Sequence, residues 1–187
     1  NLVRNCRVSG WDTGISVLVP HAELVGNTVD FGDVAVPRLA SAVMGVAVQE
    51  LGARDNTVTG AWTTALSVVV SPDRGRAVLT GNTVNGSAVG VVIALATGTP
   101  LVAPEQGSVI RHNHLHLVGG SDFLPGILLG VADPWPGVTV EENTVHSDGL
   151  ALKLVAGDPP STAALPRVSR NNLLGQPAVM AAHAAGP

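Results

Sequence analysis

Three histidines, His114, His116 and His146, stand where an acid–base or metal centre could form. An imidazole changes charge near neutral pH and ligates divalent ions through a ring nitrogen. Three of them brought together, with Asp122 and Asp148 close by in the chain, could hold a divalent metal or move a proton. In an extended strand the two-residue spacing of His114 and His116 puts both on one face. No ligand motif of known spacing surrounds them, so the plainer expectation is a polar, solvated sheet face that happens to use histidine.

A second candidate surface is aromatic. Trp11, Phe31, Trp62 and Phe123 recur in equivalent turns, and exposed rings in a row would stack on a sugar while Asp30, Asp33 and Asn85 supplied hydrogen bonds. The favoured alternative is that these rings plug a corner beneath the longer connections at 31–44 and 117–125.

What must position both groups is a repeat. The segment Leu79-Thr80-Gly81-Asn82-Thr83-Val84 carries the pattern apolar-x-x-Asn-x-apolar, and the pattern returns around Asn27, Asn56, Asn113, Asn143 and Asn171, with Cys6 in the asparagine slot of a first copy. Successive marked positions are separated by 21, 29, 26, 31, 30 and 28 residues, a period that means a solenoid rather than a closed globule. After each comes a short β-branched or apolar run, such as Ile15–Val19, Val46–Val48, Leu66–Val70, Val91–Leu95, Ile127–Leu129 and Leu150–Leu154, usually preceded by a small residue. No window holds a capped 3.6-residue apolar stripe. Two short strands flanking the asparagine and a third at the apolar run give an all-β, parallel β-helix of about seven coils over residues 1–187.

The asparagines are read as structural. Stacked one coil apart, their amides can bond the local backbone and one another in a ladder through Asn27, Asn56, Asn82, Asn113, Asn143 and Asn171, in turns that would use the left-handed backbone region. Cys6, alone in the chain, allows no disulfide framework and is expected to pack as an inert thiol in that column.

With its short Asn-Thr-Val coils, the pattern resembles the right-handed parallel β-helix superfamily, the pectate-lyase-like fold, over essentially the whole chain. The right hand agrees with the general preference of parallel crossovers. The resemblance implies a fold shared by lyases, glycosidases, epimerases, phage tailspikes and non-catalytic modules, and an extracellular or cell-surface location. It does not imply one function. In the enzymes the chain resembles, the third strand and its loops carry clustered Asp, His, Arg or Lys.

Here that strand has outward positions Ser16/Leu18, Ala47/Gln49, Ser67/Val69, Val92/Ala94, Leu128/Gly130 and Ala151/Lys153. Neither the paired carboxylates of glycoside hydrolysis nor a base for lyase chemistry can be assembled from these residues. A smooth apolar strip of this kind marks packing against a partner or neighbouring domain. The Pro- and Gly-rich connections at 71–76, 96–106, 132–137 and 156–166 form another edge, whose dense charge is Asp73, Arg74 and Arg76.

Composition fits this reading. The chain is 45% hydrophobic and 13% charged, with no run long enough for a membrane span, so its apolar residues belong to an interior. A net charge of −4 with ten scattered Lys and Arg gives no basic stripe for nucleic acid. The sequence opens in mid-coil at Asn1-Leu2-Val3 without a cap, so a segment of a longer chain is expected. The expected role is a non-catalytic scaffold or recognition module binding a protein partner or glycan, with no cofactor. The rival is a carbohydrate-active enzyme, a polysaccharide lyase or glycoside hydrolase, using His114, His116 and His146.

Overall fold

The computed structural model describes residues 1–10, 13–31, 41–70, 75–95, 107–119, 124–130, 138–156 and 166–183. Its described elements are all strands, arranged as three seven-stranded parallel sheets to which each coil contributes one strand. The first sheet runs through Leu2–Arg4, His21–Val25, Glu50–Arg54, Arg76–Thr80, Val109–Arg111, Thr139–Glu141 and Arg167–Ser169. The second runs through Arg7–Ser9, Thr28–Asp30, Thr57–Thr59, Thr83–Asn85, His114–Leu117, Thr144–Ser147 and Asn172–Leu174. The third runs through Thr13–Val17, Ser41–Val48, Thr64–Val70, Val89–Leu95, Ile127–Gly130, Leu152–Ala156 and Val179–His183. The expected β-solenoid is therefore what the chain forms.

Alternation builds the interior. Alternate residues turn inward, so Leu24, Ala53, Leu79, Ile110 and Val140 stack in one column and Val29, Val58, Val84, Leu115 and Val145 in another, all buried. Leu66, Val91, Ile127 and Leu152 close the third wall. Each such aliphatic side chain removed from water contributes about 1.5–3 kcal/mol, which is how a chain poor in charge stays folded around its own apolar residues.

The asparagine column joins the coils at the bend between the first and second sheets. Asn82 shows the pattern. Its Nδ2 donates to Asn113 Oδ1 and to the Ala53 carbonyl, both at 2.9 Å, while its Oδ1 accepts from Asn56 Nδ2 at 2.9 Å and Asn56 N at 3.1 Å. Two donors and two acceptor sites are all engaged, so an amide that is 0% exposed carries no unmet polar group. Asn27, Asn56, Asn113 and Asn143 repeat the bond to the next Oδ1 and the bond to a carbonyl one coil earlier.

Four local expectations are corrected. The left-handed residue is the one before each column position, not the column residue itself: Asn5 before Cys6, and Gly26, Asp55, Gly81, His112, Glu142 and Arg170 before the asparagines, have φ between 53° and 68°. Cys6 occupies the column and its N–H donates to Asn27 Oδ1 at 3.0 Å, but its thiol is exposed rather than packed and donates to the Arg4 carbonyl at 3.4 Å. Val46 faces outward, 41% exposed, since a register irregularity between Gly45 and Val48 reverses the alternation and leaves Val43 beside Leu66. Ala151 is buried, not outward.

Ala151 belongs to a column of small residues with Gly90 and Gly126, each one residue ahead of the paired Val91, Ile127 and Leu152. Here the chain enters the third sheet, and neighbouring coils come close enough that only Gly or Ala stands at Gly90, Gly126 and Ala151. A Cβ on Gly126 would lie 2.7 Å from the Ala151 carbonyl oxygen and 2.6 Å from Val145 Cγ1.

Two outcomes are expected in urea denaturation. Asn82→Ala leaves buried partners on both sides unpaired and should lose on the order of 3 kcal/mol, well beyond the loss for Asn171→Ala in its half-buried, less enclosed position. Equal losses would show that burial of the ladder is not what matters. Gly126→Ala should lose about 2 kcal/mol through overpacking against backbone, and an unchanged midpoint would contradict the close approach.

Candidate functional site on the second sheet

The second sheet turns two rows of side chains outward. One runs Arg7, Thr28, Thr57, Thr83, His114, Thr144 and Asn172; the other runs Ser9, Asp30, Thr59, Asn85, His116, His146 and Leu174. The inward Val or Leu between the rows fixes this orientation, because a one-residue slip would put the polar residues into the core.

Neighbours within the second row touch. Thr59 Oγ1 donates to Asp30 Oδ1 at 3.1 Å. His116 Nδ1 lies 3.1 Å from Asn85 Oδ1, and the rings of His116 and His146 are 5.2 Å apart between centroids with their planes tilted by 33°. Both rings are exposed. His114 is also exposed but lies in the other row, between Thr83 and Thr144. The three histidines thus share a face, and two of them form a pair.

Of the two acids associated with them in the sequence, Asp122 lies outside the described residues. Asp148 accepts the Gly119 N–H at 3.1 Å, which ties the two turns after the histidine strands together. Among the described residues no three His, Cys, Asp or Glu side chains are grouped so that together they could hold a metal ion. Beside His146 a depression of about 490 Å³ is lined by Ser147, Asp148, Leu173, Leu174, Gly175 and Gln176 as well. Leu174 follows from the alternation that places His146. Gln176 lies beyond the strand, where no periodic signal reaches.

The aromatic candidates behave differently. Phe31 and Trp62 are 2% and 1% exposed and pack edge to face, with ring centroids 4.8 Å apart. Trp62 Nε1 donates to the Thr59 carbonyl at 2.8 Å, so its one polar atom is satisfied without solvent. These two rings fill the corner and present no face to a sugar. Trp11, Phe123 and Asp33 lie outside the described residues.

Charge gathers on the first sheet. Arg54 pairs with Glu23 at 2.9 Å, and Arg76 pairs with Glu50. Arg76 therefore opens a strand and is tied to its neighbour, while Asp73 and Arg74 lie outside the described residues, as do most of the Pro- and Gly-rich connections. At the bend, Glu142 lies 3.1 Å from His112 and 2.9 Å from Arg170, so three side chains on left-handed backbone form one exposed chain of contacts.

The outward side of the third sheet carries a row made of Ser16, Met44, Ser67, Val92, Leu128 and Lys153 in register. Beside it lie Val69, Ala94 and Gly130, and at the end Leu18 is 72% exposed. The sequence reading of this face holds in the middle coils, and it shifts to Met44 and Val46 in the second coil for the reason given above.

Trp62→Ala should lose about 3–5 kcal/mol in chemical denaturation by emptying the corner against Phe31. A ring used only for ligand stacking would leave stability unchanged, and that outcome would contradict the plug. The chain matches no protein-family model, and neither a curated protein nor a solved structure matches it at a significant level.

Proposed function

We propose that the chain is a non-catalytic β-solenoid scaffold that engages a protein partner, a neighbouring domain or another copy of itself through the outward face of its third sheet. The observation that carries this reading is the row from Met44 through Ser67 and Val92 to Leu128, apolar or small at every rung and half-buried throughout. Leu18 and Val46 extend it as exposed aliphatics. Solvated sheet faces normally alternate with polar residues, and a continuous apolar one favours being covered.

The size of the face supports the same reading. Seven strands spaced by about 4.8 Å and about five residues long make a patch on the order of 30 Å by 15 Å. That is a large part of the roughly 800 Å² that a stable interface takes from each partner. Lys153, one strand in from the edge of the sheet, brings a charge to the row.

Leu128→Glu and Leu18→Glu test the proposal. Both substitutions place a charge on the face without touching the core, so melting should change little while an assembly seen by light scattering falls in mass. A mass unchanged by either substitution would remove the interface from this face. Cleavage of any member of a panel of polyuronates and neutral glycans would overturn the non-catalytic reading.

A further inference from the structure

We infer that His116 and His146 form a two-imidazole site for a borderline transition-metal dication such as Zn²⁺, Ni²⁺ or Cu²⁺, with Asn85 positioning the first ring. The two histidines are direct register partners on adjacent parallel strands, both exposed, with ring centroids 5.2 Å apart. That spacing allows one nitrogen from each ring to reach a common ion.

Asn85 supplies the positioning. Its Oδ1 lies 3.1 Å from His116 Nδ1 and accepts from that nitrogen when Nδ1 bears the proton. In that tautomer the lone pair is on Nε2, one of the two ring nitrogens able to ligate a metal, and the ring is held by a neighbour that does not itself ligate. Asn85, His116 and His146 stand on three successive strands of one row, so the arrangement rests on sheet register rather than on a loop.

The donor set selects the ion. Imidazole nitrogen suits Zn²⁺, Ni²⁺ and Cu²⁺, whereas Ca²⁺ and Mg²⁺ require several oxygens. Two protein ligands leave the remaining coordination positions to water, and His146 also lines the depression that includes Asp148 and Gln176. His114 is not a ligand, because it lies in the other row beside Thr144.

Isothermal titration with Zn²⁺, Ni²⁺ and Cu²⁺ tests the site, together with the nitrogen hyperfine pattern of bound Cu²⁺ by electron paramagnetic resonance. One ion per chain with two equivalent nitrogens is expected. His116→Ala and His146→Ala should each weaken binding at least ten-fold while the melting temperature stays put, as both rings are exposed. Asn85→Ala should weaken it about ten-fold by freeing the ring of His116. His114→Ala should change nothing. Absence of binding by the unaltered chain, or binding that survives the combined His116→Ala and His146→Ala substitution, would overturn the inference. Full affinity in Asn85→Ala would overturn the role given to Asn85.

Discussion

A buried primary amide has two donors and an acceptor oxygen with two lone pairs, and it is tolerated in an apolar interior only when all of these are engaged. Asn56, Asn82 and Asn113 meet that condition only because another asparagine stands directly above and another directly below. The satisfied state therefore exists only at one stacking register. Aliphatic columns are far less selective, since Val on Leu differs little from Val on Val. The amides fix which coil position sits on which, and the aliphatic columns then supply most of the energy.

From that register the rest follows by alternation. With the asparagine fixed at the bend, the second residue after it points inward and its neighbours point out, which places Thr83, His114 and Thr144 in one row and Asn85, His116 and His146 in the other. The same spacing brings Gly90, Gly126 and Ala151 into one column, where the coils approach most closely. Interior, bend and outward rows are three readings of one repeat.

Much of this was legible in the sequence, because the asparagine spacing and the two-residue alternation are both local signals. The pairing of His116 with His146 was legible for the same reason. What escaped was whatever breaks the period. The extra residue between Gly45 and Val48 reversed the face of Val46, and no residue type marks such an irregularity. The left-handed position was displaced by one, since Gly26 and Gly81 signal it but Glu142 and Arg170, at φ 56° and 53°, do not. The corner plug of Phe31 and Trp62 was the favoured reading, but their edge-to-face meeting across a turn and the exposure of the Cys6 thiol were not legible. Both are tertiary facts.

The solenoid offers its surroundings two unlike surfaces, an apolar third sheet and a polar second sheet with a histidine pair, on a frame whose register is set from within. That internal setting can be measured directly by nuclear magnetic resonance, through scalar couplings across hydrogen bonds between asparagine side chains. A coupling from Asn82 Nδ2 to the carbonyl carbon of Asn113, with slow exchange of the bonded amide proton, is the expected result. Side-chain amide protons at Asn56, Asn82 and Asn113 that exchange with solvent as fast as those of a free asparagine would contradict the ladder, and with it the register on which every outward row depends.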